Sequence, residues 1–286
     1  MRATADRSRA SREPRGRRIY RKQLCISGIM TTRYGRIRQL HQYRTGGTVE
    51  ELKSRAAVRR AAFFDVDETV ITAKSMFAFL RYWMERHGDD GSGYARRAGE
   101  LRQIAASGRP REEGNRLYYR YFAGAVAAEV QAVGRAWYAT YRAGPEAFVG
   151  AALAALERHR RAGHRIVLVS GSFTACLTPL AEDLGADLVL CSEPLTSEDG
   201  RYTGEVRRSM IGEAKRDAVT AEIAAANLDP RDCFAYGDHA SDLDMLAAVG
   251  NPVVVGNDPV LTARGWPVLP AEPAPRHSGA PENAAH

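Results

Sequence analysis

The chain has 286 residues, 44% of them hydrophobic, enough for one large domain or two small ones with a proper core. Its formal charge of +7 is unevenly spread: residues 1–60 hold 17 Lys and Arg against 4 Asp and Glu, which leaves 24 of the 41 basic and 30 of the 34 acidic residues for the remainder. A mildly acidic body argues against nucleic acid as the partner of the whole chain, and no apolar run approaches the ~18 residues of a membrane span.

Residues 1–55 are Arg-rich, punctuated by Ser, Thr and Gly, and show little periodicity. They are expected to be a mostly disordered tail, with nonspecific contact to nucleic acid or another acidic partner as the functional alternative to a solvated arm. Met30 offers an alternative natural start, which would make the preceding stretch an artefact. Residues 19–30 have basic residues ahead of a broken apolar run but no small-residue cleavage site, so no secretory signal is read there.

The first ordered element is the short apolar run Ala61-Ala62-Phe63-Phe64, too brief for a helix and apt for a buried strand. It leads into Asp65-Val66-Asp67-Glu68-Thr69. Residues i and i+2 of an extended chain point the same way. Asp65 and Asp67 therefore repel each other unless a cation or a proton is shared between them. A polar turn after a strand is the plain alternative.

From Lys74 to residue 143 the pattern is helical, with breaks at 88–93 and at Ser107-Gly108-Arg109-Pro110. A simple crossover between parallel strands needs far fewer residues. Residues 74–143 are therefore expected to be a helical cap inserted after the first strand. The Tyr118, Tyr119, Tyr121 and Phe122 cluster is read as cap core. Arg116 and Arg120 share a helix face, solvated by default, with a clamp on an anionic substrate as the minority reading.

An Ala/Leu-rich helix over 145–163 precedes the strand Arg165–Ser170, and a helix precedes the strand Ala186–Cys191. A hairpin is expected around Asp199-Gly200 and a helix over 212–226. The strand Cys233–Tyr236 runs into Gly237-Asp238-His239-Ala240-Ser241-Asp242, then a helix through Val249, and Pro252–Gly256 is the last strand. Residues 271–286 are expected to be a flexible tail. Strands alternating with helices predict a doubly wound parallel α/β sheet, Rossmann-like, built from 56–73 and 144–270. Cys25, Cys176, Cys191 and Cys233 form no metal-binding pair, which suits a reducing cytoplasm.

Ligands of such sheets sit beyond the carboxyl ends of the strands. Three of those ends carry chemistry: Asp65/Asp67, Ser170-Gly171 and Asp238/Asp242. Lys215 is placed early in the helix before the Asp238 strand. Carboxylates, a hydroxyl and an amine at one edge suit a cation-plus-phosphate site, and hard oxygen ligands favour Mg²⁺. Taken singly, Ser170 reads as a helix N-cap, Lys215 as a surface lysine, and His239 as a bystander in its loop.

Together these motifs resemble the haloacid dehalogenase superfamily of aspartate-nucleophile phosphohydrolases, closest to the subclass with a helical cap that contains phosphoserine phosphatases. Asp65-Val66-Asp67-Glu68-Thr69, Ser170, Lys215 and Gly237-Asp238-His239-Ala240-Ser241-Asp242 stand in the family's order. The resemblance implies that Asp65 is the nucleophile and Asp67 the acid and base. Ser170, Gly171 and Lys215 would hold the phosphoryl group. Asp65, the Asp67 backbone carbonyl and Asp238 would hold Mg²⁺, with Asp242 supporting from behind. It also implies a small phosphorylated metabolite as substrate, phosphoserine-like or a sugar or alcohol phosphate. Glu68 stands where the family usually has Gly, so the turn's backbone is expected to differ or Glu68 to reach toward the cap. Ser241 stands where Asn is common. A phosphotransferase using the same intermediate and a non-enzymatic phosphoryl acceptor or nucleic-acid-binding module are the alternatives; the large cap and Asp67 count against the last.

Overall fold

The computed structural model describes residues 60–274. The expectations for residues 1–55, for Met30 and for most of the 271–286 tail lie outside the described residues.

The apolar run forms β1 (Ala61–Asp65), buried along its whole length because it carries core on both faces. Four helices follow: α1 (Ser75–Arg86), α2 (Ser92–Ala106), α3 (Arg111–Arg120) and α4 (Ala127–Arg142). Then come α5 (Gly150–Arg161), β2 (Arg165–Ser170), α6 (Thr174–Leu184) and β3 (Leu188–Cys191). The hairpin β4 (Pro194–Thr196) and β5 (Tyr202–Val206) turns at Asp199-Gly200. The chain continues through α7 (Glu213–Ala225), β6 (Phe234–Gly237), α8 (Leu243–Ala247), β7 (Asn251–Val255), α9 (Pro259–Thr262) and β8 (Val268–Leu269).

The parallel sheet runs β3-β2-β1-β6-β7-β8, the doubly wound α/β arrangement expected. From β1 the order goes one way through β2 and β3 and the other way through β6, β7 and β8. The switch point, where such sheets bind ligands, therefore lies between β1 and β6.

Side-chain alternation along β1 divides the interior. Ala62 and Phe64 face one layer with Ile166, Leu168 and Tyr236; Ala61 and Phe63 face the other with Val167, Val169 and Ala235. Asp65 follows the parity of Phe63, whose layer is closed by Ala218, Val219 and Ile223 of α7.

Helices α1 to α4 do not form a core of their own. Phe79, Trp83, Tyr118, Phe122 and Trp137 belong to the same cluster as Phe64 and Leu168. The junction is Phe173 from the loop after β2, 5.7 Å from the ring centroids of both Phe79 and Phe122. A second junction is the crossing of α4 over α6. A Cβ on Gly134 would lie 2.0 Å from the Ala175 carbonyl oxygen. Pro179, inside α6, has no N–H to offer that carbonyl.

Three expectations are corrected. The helix expected over 145–163 begins at Gly150, because residues 147–149 are extended backbone shared by two neighbours. Thr72 N–H donates to Ala147 O (3.1 Å) and Val149 N–H to Val70 O (3.0 Å) on one side; Ala274 N–H donates to Phe148 O (2.7 Å) on the other. Residues 272–274 are consequently tied down rather than loose. Beyond β7, the last strand clear in the sequence, lie α9 and β8. The start of α9 carries a readable signal: Asp258 accepts from Val260 N–H (2.8 Å) and Leu261 N–H (3.1 Å), with Pro259 in the first turn.

Candidate active site

The register of the sheet delivers the motifs to one edge. Asp65 pairs with Val169, so Ser170 stands one step further along the adjacent strand. Phe64 pairs with Tyr236, so Asp238, after β6, flanks Asp65 on the other side of the switch point. Lys215 arrives from α7, whose buried stripe is Lys215, Ala218, Val219, Glu222 and Ile223. Lys215 occupies the first position of an otherwise ordinary helix-to-sheet face, and that position lies over the strand ends.

The lysine is 4% exposed and its Nζ donates to Asp65 Oδ1 (2.5 Å) and Asp242 Oδ1 (2.6 Å). Burial works against the ammonium, but Asp242 and Asp65 outweigh it and hold its pKa above the ordinary value. Asp242 approaches closely because residue 237 is Gly: a Cβ there would lie 2.7 Å from the Asp242 Cβ. His239 N–H donates to Asp242 Oδ2 (3.3 Å), and the His239 ring caps the short turn over 240–242 by accepting from Ser241 N–H (3.0 Å).

Carboxylate oxygens of Asp65, Asp238 and Asp242 lie within 4.8 Å of one another. Burial, then the charges of Asp65 and Asp242, push the Asp238 carboxyl up to about 9. Burial, then Asp65, raises Asp242 as well, with Lys215 opposing. Such crowding is stable as carboxylates only with positive charge beyond that of Lys215. An all-oxygen donor set of this kind fits a hard divalent cation. The Asp67 side chain is not in this cluster; Asp242, expected behind the site, is in it and is also bonded to Lys215. Thr69 Oγ1 donates to Asp238 Oδ1 (3.0 Å).

Asp67 lines the same cleft with a buried Oδ1 that has no hydrogen-bond partner. Burial, then the charge of Asp65, pushes its carboxyl up to about 7, against the pull of Ser75 and Lys215. Two carboxylates one residue apart thus face different environments: Asp65 is held by an ammonium, and Asp67 is left to carry a proton near neutrality.

Ser170 is buried and accepts from Ser172 N–H (3.0 Å) through its Oγ, leaving its own O–H to donate. It does not cap the following helix, whose N-cap is Phe173. The Gly171 carbonyl accepts from Asn115 Nδ2 (2.8 Å), Tyr119 O–H (3.1 Å) and Ser192 Oγ–H (2.7 Å). Helix α3 therefore fixes the loop after β2. Nothing in the sequence pattern singled out Asn115 or Ser192, since one polar residue on a buried face has no signature of its own.

Glu68 keeps the left-handed backbone that a glycine would adopt, with φ of 62°, so the turn does not depart from the glycine form. Its side chain lines the cleft and pairs with Lys74 Nζ at 3.1 Å. Arg116 and Arg120 are exposed and outside the cleft lining. The buried stripe of α3 is Asn115, Tyr118 and Tyr119, which rotates 116 and 120 away; Arg111 and Asn115 line the cleft instead.

Residues 62–247 match the haloacid dehalogenase-like hydrolase family. A Streptomyces azureus protein named "Inhibition of morphological differentiation protein" is 32% identical over 74% of this chain and 78% of its own. A Mycobacterium tuberculosis protein named "Probable phosphatase" is 32% identical over 74% of this chain and 75% of its own. A phosphoserine phosphatase solved with an analogue of its phospho-aspartyl intermediate shares the fold, with a TM-score of 0.57 at 17% identity over 76% of this chain and 95% of that one. The chain belongs to the haloacid dehalogenase-like hydrolase family. It is an enzyme, of the phosphatase class. No helix among the described residues is long and apolar enough to cross a membrane.

Proposed function

We propose that the chain is a Mg²⁺-dependent phosphomonoester hydrolase that works through an aspartyl-phosphate on Asp65 and takes a small phosphorylated metabolite. The observation that carries this reading is the buried Asp65 carboxylate held at 2.5 Å by Lys215, with Asp67, whose buried Oδ1 has no hydrogen-bond partner, lining the same cleft.

The Asp65 carboxylate attacks phosphorus and the ester P–O bond breaks. The Asp67 carboxylic acid gives its proton to the departing alcohol oxygen. Asp67, now a carboxylate, takes a proton from water as that water attacks the acyl phosphate. Inorganic phosphate leaves and the Asp65 carboxylate is restored. A carboxyl near pKa 7 is suited to both directions of transfer. Lys215 and the Ser170 hydroxyl hold phosphoryl oxygens, and the hydrogen bonds to the Gly171 carbonyl keep the loop after Ser170 in place. Asp65, Asp238 and the Asp67 backbone carbonyl would hold Mg²⁺, which supplies charge neutralisation for the phosphoryl group.

Residues 74–143 act in this reading as a cap that screens the reaction from water and selects small substrates, over a core of 56–73 and 144–270. The described Cys176, Cys191 and Cys233 are free thiols, which suits the cytoplasm as the compartment.

The test is phosphate release from p-nitrophenyl phosphate with Mg²⁺, with acid-quenched protein analysed by peptide mass. One phosphoryl group is expected on the peptide holding Asp65. Full activity in excess EDTA, or a label on any other peptide, overturns the proposal.

A further inference from the structure

The wall of the cleft that faces the carboxylates is cationic. Lys74 immediately precedes α1 and Arg111 is the first residue of α3, and both line the cleft. The first turn of a helix favours acids and disfavours cations, so neither position serves its own helix. Glu68, on the same wall, is already paired with Lys74. Glu113, two residues past Arg111, is taken by Arg109. The Arg111 guanidinium donates to a His239 ring nitrogen (2.7 Å) and to Ser241 Oγ (3.2 Å). A ring nitrogen that accepts from a guanidinium is unprotonated, so both partners are neutral and the charge of Arg111 is left uncompensated among these contacts.

A second observation says where a ligand sits. The buried Asp67 Oδ1 has no partner and lines the cleft with Arg111 and Lys74. An alcohol oxygen that receives its proton from Asp67 belongs to a group extending along this wall. The cleft is open to solvent, with a cavity volume of about 120 Å³.

The geometry points to a substrate whose alcohol portion is itself an anion: a phosphomonoester of a hydroxy-carboxylate or of a second phosphorylated alcohol, its oxyanion held by Arg111 beside Lys74. This rests on the phosphohydrolase reading above and narrows it. A guanidinium fork accepts either kind of oxyanion. An ammonium on the alcohol would instead meet, on this wall, the uncompensated Arg111 and a Lys74–Glu68 pair already neutral within itself.

The test compares kcat/KM across phosphomonoesters for the full chain with Mg²⁺. 3-Phosphoglycerate and O-phosphoserine differ only by hydroxyl against ammonium, and about a tenfold preference for the former is expected. Glycerol phosphate, with a neutral alcohol portion, should fall below 3-phosphoglycerate, and fructose bisphosphate distinguishes a second phosphate from a carboxylate. Arg111→Met should reduce the preference for 3-phosphoglycerate over glycerol phosphate about tenfold, chiefly through KM, and Lys74→Gln should reduce it less. Arg116→Ala, outside the cleft, should leave it unchanged. O-phosphoserine equal to or better than 3-phosphoglycerate, or an unaltered preference in Arg111→Met, overturns the inference. Calorimetric binding of the same compounds to Asp65→Asn reads the order without turnover. A protein that keeps this order in binding but hydrolyses none of these esters, nor p-nitrophenyl phosphate, sinks the phosphatase reading alone. One that hydrolyses it with the order reversed sinks this inference alone.

Discussion

The floor and the wall of the cleft are built by opposite means. On the floor, Asp65, Lys215 and Asp242 are nearly inaccessible and hold one another at hydrogen-bond distance from three different elements. On the wall, Lys74, Glu68 and Arg111 are exposed charges at helix starts and a turn, in contacts that water can replace. Buried charges must be arranged before the substrate comes, because a misplaced one costs several kcal/mol. Exposed ones are cheap to exchange, since surface pairs contribute about 0–1 kcal/mol. The proposed reaction rests on the part that cannot vary without loss, and the proposed selectivity on the part that can.

The largest effect that would break this division is on the floor. Asp65→Asn is nearly isosteric but cannot form an acyl phosphate, so turnover and acid-stable labelling should both fall to background. Residual labelling on Asp67 would exchange the two roles.

In the proposed mechanism Asp67→Asn keeps the nucleophile and removes the proton donor, so alkyl phosphates should be hydrolysed about 10²–10⁴-fold more slowly. The loss should be smaller with p-nitrophenyl phosphate, whose leaving group needs little protonation. Equal losses on both substrates would mean that Asp67 serves only to place Asp65.

The same residue sets a pH dependence. Its carboxyl is raised to about 7, so it is protonated below that value and ionised above it. In the wild type, kcat for an alkyl phosphate should therefore decline as pH rises through about 7, while p-nitrophenyl phosphate shows a shallower decline. Parallel profiles would assign the titration to another group.

The wall depends on how α3 and α4 are anchored, and Gly134→Ala probes that anchor. A Cβ 2.0 Å from a backbone oxygen forces the α4–α6 crossing apart. A loss of about 1–3 kcal/mol in urea unfolding is expected. A neutral result would show that the crossing yields.

The smallest effect concerns the turn that joins floor to wall. Glu68→Gly removes the cost of a left-handed non-glycine residue and also an exposed ion pair, so stability should stay within about 1 kcal/mol of wild type. Glu68→Val, β-branched at φ of 62°, should lose more.

Much of the floor was legible because it lies on strand ends. Period-two parity put Asp65 on one face, and the apolar strands around it announced a parallel sheet. The order of Asp65, Ser170, Lys215 and Asp238 along the chain carried the family resemblance. The wall was legible only as helix. Arg116 and Arg120 share a face by periodicity, yet so do Arg111 and Asn115, and sequence spacing cannot say which face turns inward. That was decided by the buried stripe Asn115, Tyr118 and Tyr119 meeting Phe173 and the Gly171 carbonyl.

By itself, then, the sequence determined the layer architecture and the sheet edge at which the motif residues gather, because local periodicity and strand polarity suffice to place residues along a parallel sheet. Only the tertiary structure decided the rotation of α3, the proton-carrying environment of Asp67, the pinning of residues 272–274 and the extra pairing of β8. Each of these depends on which distant backbone or side chain arrives alongside, and no short-range pattern encodes that.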